Sequence, residues 1–226
     1  MFIELVDQLR CIRPHEDSWL VASAGRMNGR DVMEGELGCP ICRACYPVRA
    51  GAVFFDGTLD TAADGDPDAA TNAPDRAAEP AAEELLRTAA LLALAEPGGF
   101  ALLGGEWAAY CGPLAAAAGV QLVLLNPVAA VRAGGGVSVV HAPWGTLPLA
   151  AQSLRAAALG GDEARAPELA ARVVNALQAR GRLVAPATAP VPADVVELAR
   201  DARHWVAERS GVTSAPVPLG LARRGR

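Results

Sequence analysis

The sequence predicts an α/β protein made of two modules. Strand and helix patterns alternate from residue 81 onward, and apolar residues run continuously through the strands. Such runs are typical of a parallel sheet that is covered on both faces. Four of the five cysteines lie instead in the first 56 residues. Residues 57–80 hold six acids, one arginine and almost nothing large to bury, so we expect a disordered acidic linker there.

The first module, residues 1–56, is too small to build a deep core of its own. Residues 19–22 and 31–34 are predicted to be short strands, joined by a turn that contains Gly25 and Asn28-Gly29. A module of this size usually needs a disulfide or a metal ion to stabilise it. Because nothing at the start of the sequence indicates export, we expect a metal before disulfides.

The cysteine spacing of this module indicates a zinc site. Two residues separate Cys39 from Cys42, and one of them is a proline. Such a pair forms a knuckle that supplies two ligands. Tetrahedral zinc needs a second pair, and we expect Cys11 with His15 to supply it. Cys45 is the alternative fourth ligand. The sequence therefore predicts zinc held by three thiolates and an imidazole.

The second module, residues 81–226, follows a regular order of elements. The predicted order is helix 81–95, strand 100–103, helix 106–118, strands 120–125, 137–141 and 153–159, helix 167–178, strand 182–187 and helix 193–202. Pro97-Gly98-Gly99 should end the first helix. Segments 205–209 and 217–222 are predicted to form a terminal antiparallel hairpin.

Composition and charge exclude several kinds of function. All 20 basic residues are arginine, so lysine-dependent phosphate loops and Schiff-base chemistry are excluded. The net charge of −5 lies mostly in the linker, and neither folded part has the basic surplus typical of a nucleic-acid binder. No apolar run reaches the roughly 18 residues of a membrane span. Because the opening residues include acids where a signal peptide has basic residues, we expect a cytoplasmic protein.

The first 56 residues resemble a known family of small proteins. The run 5–11, the segment 37–42, then Tyr46-Pro47-Val48 and Gly51, are similar to the zinc-ribbon activators that partner methyltransferases acting on transfer RNA and translation factors. The resemblance implies a protein partner that binds through the ribbon. Pro14 stands where a second cysteine is common, and His15 then substitutes for it.

Residues 81–226 resemble class I methyltransferases that use S-adenosylmethionine. The matching features are the order of strands and helices, residues 147–149 before the fourth strand, residues 181–184 as the fifth, and the closing hairpin. The resemblance implies a Rossmann-like sheet with a ligand at the carboxyl ends of its strands. It also implies S-adenosylmethionine as cofactor, with the candidate binding residues Gly104, Gly105, Glu106, Asn126 and Trp144.

Several positions depart from the pattern of that family. Asn126 and Pro143-Trp144 stand where acids are usual, and Arg155 occupies the fourth strand where an acid is common. These departures argue that the cofactor binds weakly, differently or not at all. We therefore expect a degenerate, zinc-binding, methyltransferase-like protein that acts through binding or scaffolding. The alternatives are an active methyltransferase with its activator ribbon fused in cis and a zinc-stabilised interaction module. No catalytic residue is assigned.

Overall fold

The computed structural model describes residues 1–56, 82–128 and 131–211. The predicted linker, 57–80, and the predicted strand 217–222 lie outside the described residues. The domain boundaries at 56 and 81 therefore stay predictions. No helix in the described part of the chain is both long and apolar enough to cross a bilayer.

The N-terminal part is built from a 3-10 helix and four antiparallel strands. The helix spans Ile3–Gln8, and the strands are β1 (Val21–Asn28), β2 (Asp31–Gly38), β3 (Cys45–Arg49) and β4 (Ala52–Phe54). The turn between β1 and β2 contains Gly29, whose φ of +58° a glycine adopts without strain. Gly25 lies inside β1 at a shift of register, so its predicted place in the turn is wrong.

The rest of the sheet has the predicted parallel strands and a closing hairpin. The strands are β5 (Phe100–Gly104), β6 (Gln121–Leu125), β7 (Val137–His141), β8 (Leu154–Ala158), β9 (Leu177–Pro186), β10 (Val195–Arg200) and β11 (His204–Arg209). The parallel strands run in the order β7-β6-β5-β8-β9, which is the Rossmann order 3-2-1-4-5. The predicted fold class is confirmed.

The N-terminal strands extend this same sheet. β4 pairs with β7 in parallel, with Ala52 opposite Val139 and Phe54 opposite His141. All eleven described strands therefore form one sheet, in the order β1-β2-β3-β4-β7-β6-β5-β8-β9-β11-β10. The N-terminal part thus adjoins the parallel strands at β7, through its strand β4.

Four α-helices are described: α1 (Ala82–Leu91), α2 (Cys111–Ala118), α3 (Gly161–Arg165) and α4 (Pro167–Ala176). α1 ends four residues before its predicted end, so Pro97-Gly98-Gly99 does not end it, and α3 has no predicted counterpart. The predicted helix 106–118 is divided into a 3-10 helix, Gly105–Tyr110, and α2. Pro113 explains the division, because a proline inside one continuous helix would remove a hydrogen bond and clash with the preceding turn.

The predicted helix 193–202 is wrong, because this segment forms strand β10. β10 pairs with β11 as an antiparallel hairpin, with Val195 opposite Arg209, and of the β10 side chains only that of Val195 is buried. β11 also pairs with β9. β10 and β9 thus occupy both edges of β11, and the partner predicted for 205–209, segment 217–222, lies outside the described residues. Ladder pairing with β11 outweighs the helical spacing of the apolar residues in this segment.

The cysteine-rich part and the parallel sheet share one hydrophobic core. Leu5, Leu9 and Leu37 are fully buried in the same cluster as Leu102 and Val123 of the parallel strands. On the opposite face, α1 and α2 cover a second cluster. Neither part therefore buries its apolar residues alone, which is what a thin N-terminal core requires.

Candidate metal centre and the carboxyl edge of the sheet

The segment that carries Cys11 and His15 is a loop closed at its base. Leu9, just after the 3-10 helix, is fully buried and bridges Leu149. The amide of Cys11 then donates to the carbonyl oxygen of Ser18 at 3.2 Å. These contacts hold the two ends of the loop together, so that Cys11 and His15 both face the turn after β2.

Cys39 and Cys42 lie in the tight turn between β2 and β3. The amide of Cys39 donates to Ala44 at 2.8 Å, and the amide of Arg43 donates back to Cys39 at 3.0 Å. Arg43 has a φ of +59°, the left-handed conformation that reverses the chain. The predicted knuckle is therefore present, with both sulfurs on the same side.

The structure brings Cys11, His15, Cys39 and Cys42 together. One potential ligand atom from each lies within 4.8 Å of the others. The sulfurs of Cys11 and Cys42 are 3.6 Å apart, and Cys39 Sγ is 3.4 Å from His15 Nε2. This group could hold a metal ion.

Hydrogen bonds outside the group orient two of its members. His15 Nδ1 lies 2.6 Å from the carbonyl oxygen of Glu16. A carbonyl can only accept, so Nδ1 carries a proton, and in the neutral ring Nε2 then has a free lone pair facing the sulfurs. The hydroxyl of Tyr46 lies 3.1 Å from Cys11 Sγ, where it can donate to the thiolate. Both contacts are of the kind that orients metal ligands in proteins.

The sulfurs of this group have opposite tendencies to ionise. Burial raises the pKa of Cys39, but the amides of Cys42 and Ile41 and the neighbouring thiols outweigh it and bring that pKa to about 6. Burial also raises the pKa of Cys11, which the hydroxyl of Tyr46 only partly offsets. Of these two cysteines, Cys39 is therefore the one that ionises more readily.

Cys45 lies outside this group. Its side chain is exposed, and its sulfur contacts the carbonyl oxygen of Arg43 at 3.8 Å. Cys111 is buried in the second core cluster, under α2. Neither belongs to the groups of potential ligands found among the described residues.

Three predicted cofactor residues lie at the carboxyl edge, where the strand order reverses: Gly104 ends β5, and Gly105 and Glu106 follow it. Gly105 has a φ of +57°. The carboxylate of Glu106 accepts from the amide of Gly161 at 3.3 Å, at the start of α3, which follows β8. A Cβ on Gly160 would lie only 2.3 Å from that carboxylate. The two loops flanking the reversal point are therefore in direct contact.

Asn126 follows β6, as predicted, but its side chain is bonded to the protein itself. Its amide nitrogen donates to the carbonyl of Ala142, and its oxygen accepts from the amide of Ala142, both at 2.9 Å. Asn126 has a φ of +44°, which asparagine tolerates better than most residues. This side chain joins the loops after β6 and β7.

Three further side chains lie apart from the reversal point. Trp144 is 62% exposed and makes none of the ring contacts found in the described part of the chain. His141 ends β7 and stacks on Phe54 of β4 at 4.7 Å. Arg155 stands near the amino end of β8 and donates to carbonyls of residues 93–98. It therefore does not replace an acid of the carboxyl edge.

Sequence reasoning missed two contributors to these sites. The hydroxyl of Tyr46 contacts Cys11. The indole nitrogen of Trp107 donates to the carbonyl of Leu159 and ties the 3-10 helix to the segment after β8. The strand alternation of Tyr46 was the available signal for the first, whereas nothing in the sequence pairs Trp107 with Leu159.

Comparison with known proteins shows similarity only at the level of structure. No protein-family model matches the sequence, and no curated protein matches it either. A crystal structure of the [4+2]-cyclase SpnF aligns with a TM-score of 0.39 at 14% identity, over 46% of this chain and 43% of that one. Geranyl diphosphate C-methyltransferase from Streptomyces coelicolor A3(2) gives 0.38 and 14%, over 46% and 42%.

A third solved structure is covered more completely. The antibiotic-resistance methyltransferase Kmr aligns with a TM-score of 0.39 at 13% identity, over 56% of this chain and 93% of that one. By contrast, the aligned part spans less than half of the first two structures. Likeness at this level carries no argument about activity or ligand.

Proposed function

We propose that Cys11, His15, Cys39 and Cys42 bind one zinc ion. The carrying observation is the spacing of the ligand atoms. A tetrahedral ion with bonds of about 2.3 Å to sulfur and about 2.05 Å to nitrogen separates two sulfurs by about 3.8 Å, and sulfur from nitrogen by about 3.6 Å. The separations of 3.6 Å and 3.4 Å in this structure are within a few tenths of these values.

The role of this zinc is structural. Four protein ligands complete a tetrahedral shell and leave no position for water or substrate, which is the arrangement of structural rather than catalytic sites. The ion would tie the loop 11–18 to the turn 39–45. It would thereby fix strands β1 to β4, which extend the parallel sheet through the pairing of β4 with β7. Thiolate ligands stay reduced in the cytoplasm, which agrees with the expected location.

The α/β part acts by binding rather than by methyl transfer. The support comes from the carboxyl edge, where a cofactor of the class I type would lie. The carboxylate of Glu106 accepts from the amide of Gly161 at the start of α3, and Trp107 donates to the carbonyl of Leu159 just after β8. The side chain of Asn126 is used by Ala142. Two of the predicted cofactor residues, Glu106 and Asn126, are thus hydrogen-bonded to the protein itself.

The partner of this protein would bind at the zinc-bearing end. Trp19, Val21 and Ile41 are large apolar side chains that stay 68%, 64% and 46% exposed beside the metal ligands or on the adjoining edge strand β1. Exposed apolar residues next to an unpaired strand edge favour a protein partner. The resemblance to activator ribbons implies the same kind of partner.

Metal analysis of the purified chain tests the zinc centre. We expect one zinc per chain by plasma mass spectrometry, and far less than one for His15→Ala. Cys45→Ser is the matched control, because Cys45 lies outside the group, and it should keep one zinc per chain. Loss of zinc from Cys45→Ser with retention in His15→Ala would show that the ligand set is wrong.

Calorimetry with S-adenosylmethionine and S-adenosylhomocysteine tests the second part of the proposal. We expect no binding at micromolar concentrations of either compound. Micromolar binding that is lost in Glu106→Ala would instead support an active methyltransferase with its activator ribbon in cis. That alternative has one structural observation in its favour, namely that β4 continues the parallel sheet beside β7. The zinc result is independent of this outcome.

A further inference from the structure

A second feature lies at the opposite end of the parallel strands from the predicted cofactor edge. A cavity of about 440 Å³ opens near the amino ends of β8 and β9. One wall is the segment 92–99, which follows α1, and the other is the segment 178–182 at the start of β9. The cavity is thus separate from the metal ligands and from Glu106. Neither the zinc centre nor the proposed binding role accounts for it.

The second wall of this cavity is a bulge within strand β9. Leu177 pairs with Leu154, and the next pair joins Arg182 to Ala156, so residues 178–181 bulge out of the ladder with β8. Gly181 is required there, because a Cβ would lie 2.9 Å from the carbonyl oxygen of Gln178.

Arg180, in this same bulge, has a φ of +64°. A non-glycine residue held in that left-handed conformation is strained. Strain of this kind concentrates at functional sites.

The lining of the cavity carries an excess of positive charge. Arg155, Arg180 and Arg182 line it together with one acid, Glu96, in a chain whose net charge is −5. Arg155 and Arg182 donate to main-chain carbonyls of residues 90–98, and neither forms an ion pair with a carboxylate within the described ranges. Two guanidinium charges are therefore oriented by the backbone without being neutralised.

Arg180 is held less firmly than the other two arginines. Its side chain is 82% exposed, and its Nε lies 3.7 Å from a carboxylate oxygen of Glu208 on β11. An ion pair that is this long and this exposed contributes little, so it competes weakly with another anion. Arg180 can therefore turn toward a ligand in the cavity.

We infer that this cavity binds a small phosphate-bearing anion. Guanidinium groups match phosphate oxygens with paired hydrogen bonds, and the backbone already fixes two of the three. The volume falls within the range of roughly 300–1,000 Å³ for small-molecule sites. None of the described lining residues is aromatic, so no ring is available to stack on a nucleobase. The ligand is recognised through its phosphate.

Calorimetry with inorganic pyrophosphate, on the zinc-loaded full chain at low salt, tests this inference. We expect binding at one site, weakened about tenfold in Arg180→Gln and in Arg182→Gln by loss of a charge-assisted hydrogen bond. Glu208→Gln should tighten binding, because it frees Arg180. A gain of affinity cannot arise from damage to the fold.

Arg165→Gln is the matched control, since Arg165 pairs with Asp162 on α3, away from the cavity. It should leave pyrophosphate binding unchanged. The inference is overturned if pyrophosphate does not bind, or if Arg165→Gln weakens binding as much as Arg180→Gln. Binding of single-stranded RNA through the same arginines, without binding of pyrophosphate, would overturn it as well.

Discussion

The contact of Tyr46 with Cys11 predicts that Tyr46→Phe weakens zinc binding without disturbing the fold. The hydroxyl lies 3.1 Å from Cys11 Sγ, while the ring packs on Phe55 with centroids 4.5 Å apart. Phenylalanine keeps that packing and loses only the hydrogen bond. Tyr46 is 4% exposed, so water has little room to replace the missing donor.

The magnitude follows from the two states of Cys11. In the zinc-bound protein the hydroxyl donates to a thiolate, whereas without zinc it meets a thiol whose raised pKa keeps it protonated at neutral pH. Hydrogen bonds to charged groups contribute about 1.5–3 kcal/mol and those to neutral groups about 1 kcal/mol. The difference corresponds to roughly tenfold in affinity, at the lower end of the ten- to hundredfold effects of such outer contacts.

Competition with a chromophoric chelator at pH 7 measures this change. The dissociation constant of zinc should rise about tenfold in Tyr46→Phe and stay at the wild-type value in Cys45→Ser. Circular dichroism of both zinc-loaded variants should match the wild type. An affinity of Tyr46→Phe within a factor of about two of wild type would refute the reasoning, because the hydroxyl would then not act on a metal-bound thiolate.

Three further predictions concern the α/β part. Trp205→Ala should lower the free energy of unfolding by about 3–5 kcal/mol in urea titration, because the side chain is 1% exposed and its indole nitrogen donates to Ala189; a loss under 1 kcal/mol would contradict this. Asn126→Asp, which restores the acid that the family pattern has, should cost about 1–3 kcal/mol by removing the donor to Ala142, whereas unchanged stability would show that this bond is unimportant. Burial lowers the pKa of His204 below 6.5, so its contribution to stability is present above pH 6.5 and is lost as the pH falls through the lowered pKa. Proton NMR titration of His204 should give a midpoint below 6.5, and a midpoint at or above 6.5 would be inconsistent with that burial.

The elements that could be predicted are those whose pattern reflects a single environment. Strands β5, β6 and β7 are apolar along their length because both of their faces are covered, and their predicted bounds agree with the structure to within one residue. Segment 193–202 was misread as a helix for the opposite reason. Only Val195 of strand β10 is buried. The sequence of this strand therefore lacks the alternation of apolar and polar residues from which a strand is predicted.

The two candidate sites differ in how close their residues are in sequence. The spacing of Cys39 and Cys42 is local, so the knuckle could be read from the chain, and the choice of His15 over Cys45 agrees with the group that the structure brings together. The cavity at the amino ends of β8 and β9 joins segments more than 50 residues apart. Arg155 was accordingly misread as a lost acid, since its partners among residues 93–98 are not adjacent in sequence.

The sequence by itself determined the α/β class, the parallel strands and the residues able to hold a metal, because local patterning encodes burial and the chemistry of ligands. Only the tertiary structure decided that β4 continues the parallel sheet at β7 and that Asn126 is bonded to Ala142. It also decided that three arginines face one cavity. Each of these depends on contacts between segments far apart in the chain. An amphipathic or charged pattern indicates that a residue needs a partner, but it does not indicate which residue that partner is.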